Sequence, residues 1–139
     1  MKDALRKKYI PMTETIYYTL LALTTPRHGY AIMQYVSTLT KGRIILGTGT
    51  LYTMVGRLTA DGIIVTLPGH ERKTYGLTDV GLELLKEETA RLEKQLADGR
   101  KVLTGGGGNG TEYIKHGKRM KMSLIQKRFF ILSAVAAGR

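Results

Sequence analysis

The stretch LGTGTLYTMVGRLTADGII, Leu46 to Ile64, carries polar side chains at the spacing a helix needs to meet a polyanion. Thr48 and Thr50 open it, and Thr53 and Arg57 continue from Thr50 at steps of three and four, one face of a 3.6-residue period. Threonine can bond a phosphate oxygen or meet the thymine methyl, and arginine can reach guanine or a phosphate. Tyr52 reads two ways: its neighbours Leu51 and Val55 favour packing, yet its hydroxyl can still reach a phosphate. The flanking glycines raise the rival idea of a nucleotide cradle, but neither a buried strand before them nor a phosphate-binding lysine is present. Gly47, Thr48 and Gly49 are therefore expected to form a turn that aims a helix, capped by Thr48 or Thr50. The first N–H groups of that helix suit a phosphate.

A second charged group is His70, Glu71, Arg72 and Lys73 in PGHERK, and Arg43 precedes the turn. These add candidate phosphate contacts to the four positions above. Other chemistry finds little support. The chain has no cysteine and three histidines, His28, His70 and His116, none with a carboxylate or second histidine at ligand spacing. His28 is expected to cap or hydrogen-bond near a helix start. GGGGNG satisfies a dinucleotide pattern formally, but it follows a helix rather than a strand. No hydrolase or nucleotide-binding motif occurs, so neither enzymatic function nor a cofactor or metal is expected.

These residues need a scaffold. PMTETIYYTLLALTTPRHG places apolar residues at Ile16, Leu20, Leu21 and Leu23, with Thr13 as N-cap and Pro26 as stop, which predicts a first helix. HGYAIMQYVSTLTKG predicts a second, with Tyr30, Met33, Val36 and Leu39 as its stripe, Ile32 and Tyr35 widening it and Gly42 closing it. The opening stretch is the third, with a face of Leu51, Tyr52, Val55, Leu58 and Ile63, ended by Asp61 and Gly62. Ile64 and Val65, then Tyr75 and Leu77, alternate about the charged PGHERK tip and predict a two-stranded β-hairpin. Three helices followed by a ribbon form a winged helix-turn-helix, in which the third helix enters the DNA major groove and the wing grips the backbone.

From Thr78, an N-cap, LTDVGLELLKEETARLEKQLADGRKVL turns helical again. Leu82, Leu85, Thr89, Leu92 and Leu96 form a heptad seam that needs a partner, and Glu83, Lys86, Glu87, Glu88, Arg91 and Glu93 read as a polar face on a projecting helix. Homodimerisation through Leu82, Leu85, Leu92 and Leu96 is the expectation, with packing of the seam back on the domain as the alternative. The fold class expected is mainly α with a small β-hairpin, a winged helix-turn-helix over residues 1–77 plus a C-terminal dimerisation helix over 78–103. Residues 104–139 read as a Gly-rich linker and basic tail, with disorder among its expected states. MKMSLIQKRFFILSAVAA within it can form a basic amphipathic helix.

The 139 residues hold 22 Lys+Arg against 11 Asp+Glu, a net charge of +11, which makes nucleic acid a standing hypothesis. Seven of the basic residues and one of the acidic residues lie in 105–139. No signal-peptide pattern or bilayer-length apolar run is found, so a cytoplasmic protein with no membrane insertion is expected.

The motifs HGYAIM, LGTGTLYTMVGRLTADGII and RKTYGLTDVG closely resemble those of the PadR-like transcriptional regulators, over roughly residues 10 to 100. The resemblance implies a winged-helix repressor, dimeric through a C-terminal helix and released from its DNA operator by a small effector. A short final helix implies the smaller subfamily. The residues that map across are Tyr30, Thr50, Leu51, Tyr52, Arg72, Lys73 and Tyr75. The family usually has proline where Thr48 stands. A small hydrophobic effector would lie near Tyr9, Tyr17 and Tyr18, with a plain dimer core as the simpler use of that space. Two rival functions stay open: a winged-helix protein-interaction module without a DNA target, and a basic membrane-surface protein acting through its tail.

Overall fold

The computed structural model describes residues 2–104 and 112–121. The chain divides into two compact units, Met1–Ala90 and Arg91–Arg139.

In the first unit, α1 (Lys2–Tyr9) is followed by α2 (Glu14–Ala22), β1 (Arg27–His28), α3 (Gly29–Leu39), α4 (Thr48–Ala60), β2 (Ile64–Leu67) and β3 (Thr74–Leu77). α5 (Asp79–Leu103) begins in this unit and continues into the second. The second unit also holds the strands β4 (Glu112–Lys115) and β5 (Lys118–Lys121), paired antiparallel. The linker expected over 104–139 thus contains a hairpin, and Met120 and Lys121 of the expected amphipathic helix are strand residues. The rest of that helix lies outside the described residues.

The helix boundaries follow local chemistry. The Ile16 amide donates to Thr13 Oγ1 at the start of α2, and the Gly81 amide donates to Thr78 Oγ1 at the start of α5. α4 ends in paired backbone bonds, Gly62 N to Thr59 O at 3.1 Å and Ile63 N to Leu58 O at 3.0 Å, with Gly62 at φ 73°. That left-handed turn is the one a residue without Cβ makes without strain.

α4 starts differently from the expectation. Gly47 is its N-cap and no side chain caps it, because Thr48 is already the first helical residue. Neither Thr48 nor Thr50 caps the helix, but the first helical position is the one where proline is tolerated, so Thr48 fits the place of the family's proline.

The core gathers Leu20, Leu23, Ile32, Val36, Leu51, Leu58, Ile63, Ile64 and Leu84, each almost fully buried. Burying each such side chain contributes about 1.5–3 kcal/mol. Leu51, Met54, Val55 and Leu58 form the buried stripe of α4. Tyr52, one position off that stripe, is 49% exposed rather than core. On α3 the buried line runs through Gly29, Ile32 and Val36, so Tyr30 and Leu39, expected to be inward, stand half-exposed.

The wing is a three-stranded antiparallel sheet in the order β1-β3-β2 rather than a two-stranded ribbon. Ile64 pairs with Leu77 and Leu67 with Thr74, while Arg27 and His28 pair with Tyr75 and Thr74 on the other edge of β3. Two residues carry no readable alternation, so β1 is visible only in three dimensions. α5 packs close to the wing: a Cβ at Gly81 would lie 2.1 Å from the Ile63 carbonyl oxygen.

α1 was not expected as a helix. Arg6 donates from Nε and Nη2 to the two carboxylate oxygens of Glu87, both at 2.8 Å, and Lys2 pairs with Glu83 at 2.6 Å. At its other end Lys8 Nζ donates to Asp61 at 2.7 Å, and the Tyr9 hydroxyl donates to the same carboxylate. The Met12 amide donates to Glu88 at 2.5 Å. Glu87 and Glu88 are therefore not part of a solvent-facing polar stripe but hold the N-terminal segment, and Glu88 is buried.

Candidate nucleic-acid interface

The stripe that buries one side of α4 turns the opposite side outward. Thr48, Gly49, Thr50, Thr53, Gly56 and Arg57 are all exposed, and no acidic residue occurs in the helix. A Cβ added at Gly49 or Gly56 would meet nothing, so the helix backbone is open to close approach there. An open groove of about 620 Å³ runs between this face and the start of α2, lined by Thr13, Thr15, Thr50, Thr53 and Arg57 among others. Because no side chain caps α4, its first amides keep their capacity for an external acceptor.

Tyr52 leads from α4 toward the wing. It lines a second cleft, about 380 Å³, with His28, Gly29, Tyr30, Arg72, Lys73 and Tyr75. A Cβ at Gly29 would lie 2.6 Å from the Tyr52 hydroxyl, so the phenol occupies space that glycine leaves. Arg72 Nη1 donates to His28 Nε2 at 3.0 Å, tying the wing to the start of α3. His28 is the N-cap residue of α3 by position but makes no side-chain cap bond; hydrogen bonding is its role. Burial, and then the neighbouring Tyr52, push the Tyr75 hydroxyl above its ordinary value.

The candidate DNA residues therefore fall in two depressions beside α4, with Thr50, Thr53 and Arg57 in one and Tyr52, Arg72 and Lys73 in the other. Arg43 joins neither. Its Nη2 donates to the Tyr18 hydroxyl at 2.6 Å, its guanidinium lies 5.6 Å from that ring, and Glu14 stands 3.6 Å away. His70 is exposed and makes no hydrogen bond or ion pair among the described residues. Thr15, His28 and Tyr30 line these depressions although they were not among the DNA candidates. His28 and Tyr30 are brought there by β1 pairing with β3, a long-range contact without a local signal.

A family model described as the transcriptional regulator PadR-like family matches residues 18–87, half of the chain. This chain belongs to the PadR-like family of transcriptional regulators. Among solved structures, a transcriptional regulator from Clostridium thermocellum is 26% identical, with 61% of this chain and 89% of that one covered, at a TM-score of 0.50. A PadR-like transcription factor from Bacteroides fragilis is 28% identical, with 70% and 92% covered, at a TM-score of 0.52. A complex structure of hsRosR-S1 shares the fold at 18% identity, with 93% of each chain covered and a TM-score of 0.50. No curated protein matches the chain.

PadR-like proteins are DNA-binding transcription regulators rather than enzymes, and the winged helix seen here is the fold of that family. Among the described residues of this PadR-like chain, no group of three or more acidic or histidine side chains could hold a metal ion. No helix among them is long and apolar enough to cross a membrane.

The residues expected to form a dimer seam divide in this PadR-like chain. Leu85 is 4% exposed in the chain's own core, and the Thr89 hydroxyl lies 2.8 Å from that of Tyr17. Leu82 and Leu96 are exposed and Leu92 is half-buried. Tyr9 is also committed internally: it is 4% exposed and bonded to Asp61, so it is not offered to an effector. Tyr17 and Tyr18 make an edge-to-face pair at 5.7 Å.

Proposed function

We propose that this PadR-like protein is a homodimeric repressor that binds an operator through the exposed face of α4 and is released by a small hydrophobic effector. The observation that carries the DNA reading is an α4 face of threonines, glycines and Arg57 with no carboxylate. Thr48, Thr50 and Thr53 meet phosphates or thymine methyls, Arg57 reaches guanine or a phosphate, and Arg72, Lys73 and His70 of the wing grip the neighbouring backbone. Tyr52 supplies a hydroxyl between helix and wing. Arg43 contributes after leaving Glu14, which makes it the weakest member of the set.

In this reading residues 1–77 bind DNA, 78–103 dimerise through Leu82, Leu92 and Leu96, and 104–139 form an appended tail. The effector lies against Tyr17 and Tyr18, and the protein acts in the cytoplasm, where its DNA is.

The test is footprinting by the purified protein on the DNA upstream of its own gene and on enriched genomic fragments. A protected palindromic site is expected. If about six basic groups per dimer meet phosphates, the logarithmic salt slope is on the order of −5. A dissociation constant independent of salt, or no protected fragment, would falsify the reading and leave a protein-interaction module.

A further inference from the structure

Asp61 is the C-cap of α4, one turn beyond Arg57 on the same helix. A carboxylate there lies at the negative end of the helix dipole, so its charge needs a cation nearby. Arg57 is the local candidate, because residues four apart on a helix are neighbours and opposite charges at that spacing attract. Such a pair would draw the guanidinium from the exposed face of α4 toward the end of its own helix.

The observed pairing is different. Lys8 Nζ and the Tyr9 hydroxyl, both from α1, donate to one oxygen of this carboxylate, Asp61 Oδ2, the lysine at 2.7 Å. Lys8 is the cation in the ion pair of Asp61, and Arg57 forms no ion pair among the described residues. Arg57 is exposed, whereas Tyr9 is 4% exposed and presents its hydroxyl from a ring fixed in the core. Lys8 and then Tyr9 do most to hold the Asp61 carboxyl below its ordinary value, with Arg57 adding less. The guanidinium therefore stands close enough to feel Asp61 but is not its partner.

An exposed lysine–carboxylate pair contributes little to stability, because solvent screens it. The same pair removes a competitor. A phosphate approaching Arg57 does not have to displace Asp61, which two donors already hold on the α1 side. We infer that Lys8 and Tyr9 are positioning residues for DNA binding, which occupy Asp61 and so leave the Arg57 guanidinium to the operator. This rests on Arg57 being a DNA contact, as in the function proposed above. The charge of Lys8 neutralises the carboxylate and the hydroxyl of Tyr9 fixes its direction, so α1 acts on the DNA contact without meeting DNA itself.

The experiment titrates the full chain with the duplex protected in footprinting. The single variants are K8Q, K8R, Y9F, D61N and R57A, and K8Q and Y9F are each also combined with D61N and with R57A; urea unfolding checks that every variant is folded. K8Q and Y9F are each expected to weaken binding about 2- to 5-fold, the range of an exposed ion pair, while K8R matches wild type. D61N should bind at least as tightly as wild type and should restore both weakened variants. In R57A neither K8Q nor Y9F should weaken binding further. Y9F changes no charge, so its loss and rescue are not effects of net charge. A K8Q loss that persists in R57A would overturn the inference and make Lys8 a direct phosphate contact. Losses that D61N does not remove would overturn it in favour of a structural role for α1. Unchanged affinity in K8Q and Y9F, with R57A still weakening binding, would overturn it but not the regulator. R57A binding like wild type would remove the contact on which it rests, and failure of wild type to bind would remove both readings.

Discussion

Arg72 Nη1 lies 3.0 Å from His28 Nε2, so the arginine offered by the wing is held by the residue that begins α3. The neighbouring register, His28 opposite Thr74, and the bond from Thr74 Oγ1 to the Arg72 carbonyl at 2.9 Å fix both ends of this link. A long side chain ordered before DNA arrives loses less entropy on binding.

His28→Ala is therefore expected to weaken operator binding by about 3- to 10-fold, near the net value of one hydrogen bond. Arg72→Ala should cost more and lower the salt slope by about 1. In the double variant the His28 effect should vanish, because it acts through Arg72. Additive losses in titrations of all four proteins would show that the contact does nothing for binding.

Three glycines are expected to respond differently to alanine. At Gly81 the new Cβ would lie 2.1 Å from the Ile63 carbonyl, whose oxygen also accepts from the Thr78 amide and hydroxyl. That backbone cannot yield, so roughly 3 kcal/mol or more of stability should be lost. At Gly29 the obstacle is the Tyr52 hydroxyl at 2.6 Å, the far end of a half-exposed side chain that can swing away, and a loss below about 1.5 kcal/mol is expected. Gly99 meets nothing within α5, so alanine there should stabilise by about 0.5–1 kcal/mol. Urea unfolding of the three variants checks the order.

Stability should fall at both ends of the pH range. The Arg6 hydrogen bonds hold the Glu87 carboxyl below its ordinary 4.5, and Lys8, then Tyr9, hold Asp61 below 3.8. Folding lowers both values, so their contributions are full above the ordinary values and are lost as pH falls through the depressed ones. Burial, then the bond to Asp61, push Tyr9 from 10.0 up to about 12. That contribution is full below 10.0 and is lost as pH rises toward about 12. Urea unfolding across pH should show Glu87→Gln flattening the acid limb and Tyr9→Phe the alkaline one; unchanged limbs would contradict these assignments.

Leucines along α5 should separate dimerisation from folding. Leu96→Glu and Leu92→Glu are expected to yield a folded monomer by analytical ultracentrifugation. Leu85→Ala should instead cost about 2–5 kcal/mol of stability, as a large-to-small core change does. A Leu96→Glu protein that remains dimeric would move the interface elsewhere.

Much of α4 was legible from residue order. Leu51, Val55 and Leu58 of the α4 stripe, its Gly62 stop, the Thr13 and Thr78 caps and the α5 boundaries follow from rules acting within about one helical turn, whereas Tyr52 lies outside that stripe and Met54 within it. On α3 the expected stripe held the buried Ile32 and Val36, but Tyr30 and Leu39, apolar enough to pass as core, stand exposed at its margin. Glu87 and Glu88 read as solvated, since nothing local reveals a salt bridge 81 residues away.

By itself the sequence determined α2 to α5, the wing strands β2 and β3, the charge excess and the motifs of a PadR-like regulator, all of which depend on neighbours in the chain. Only the tertiary structure decided that α1 straps α4 to α5, that β1 brings His28 to Arg72, and that Leu85 and Tyr9 are spent inside the fold. The reason is physical: periodicity reports which side of an element is apolar, whereas pairing between distant residues depends on how those sides meet.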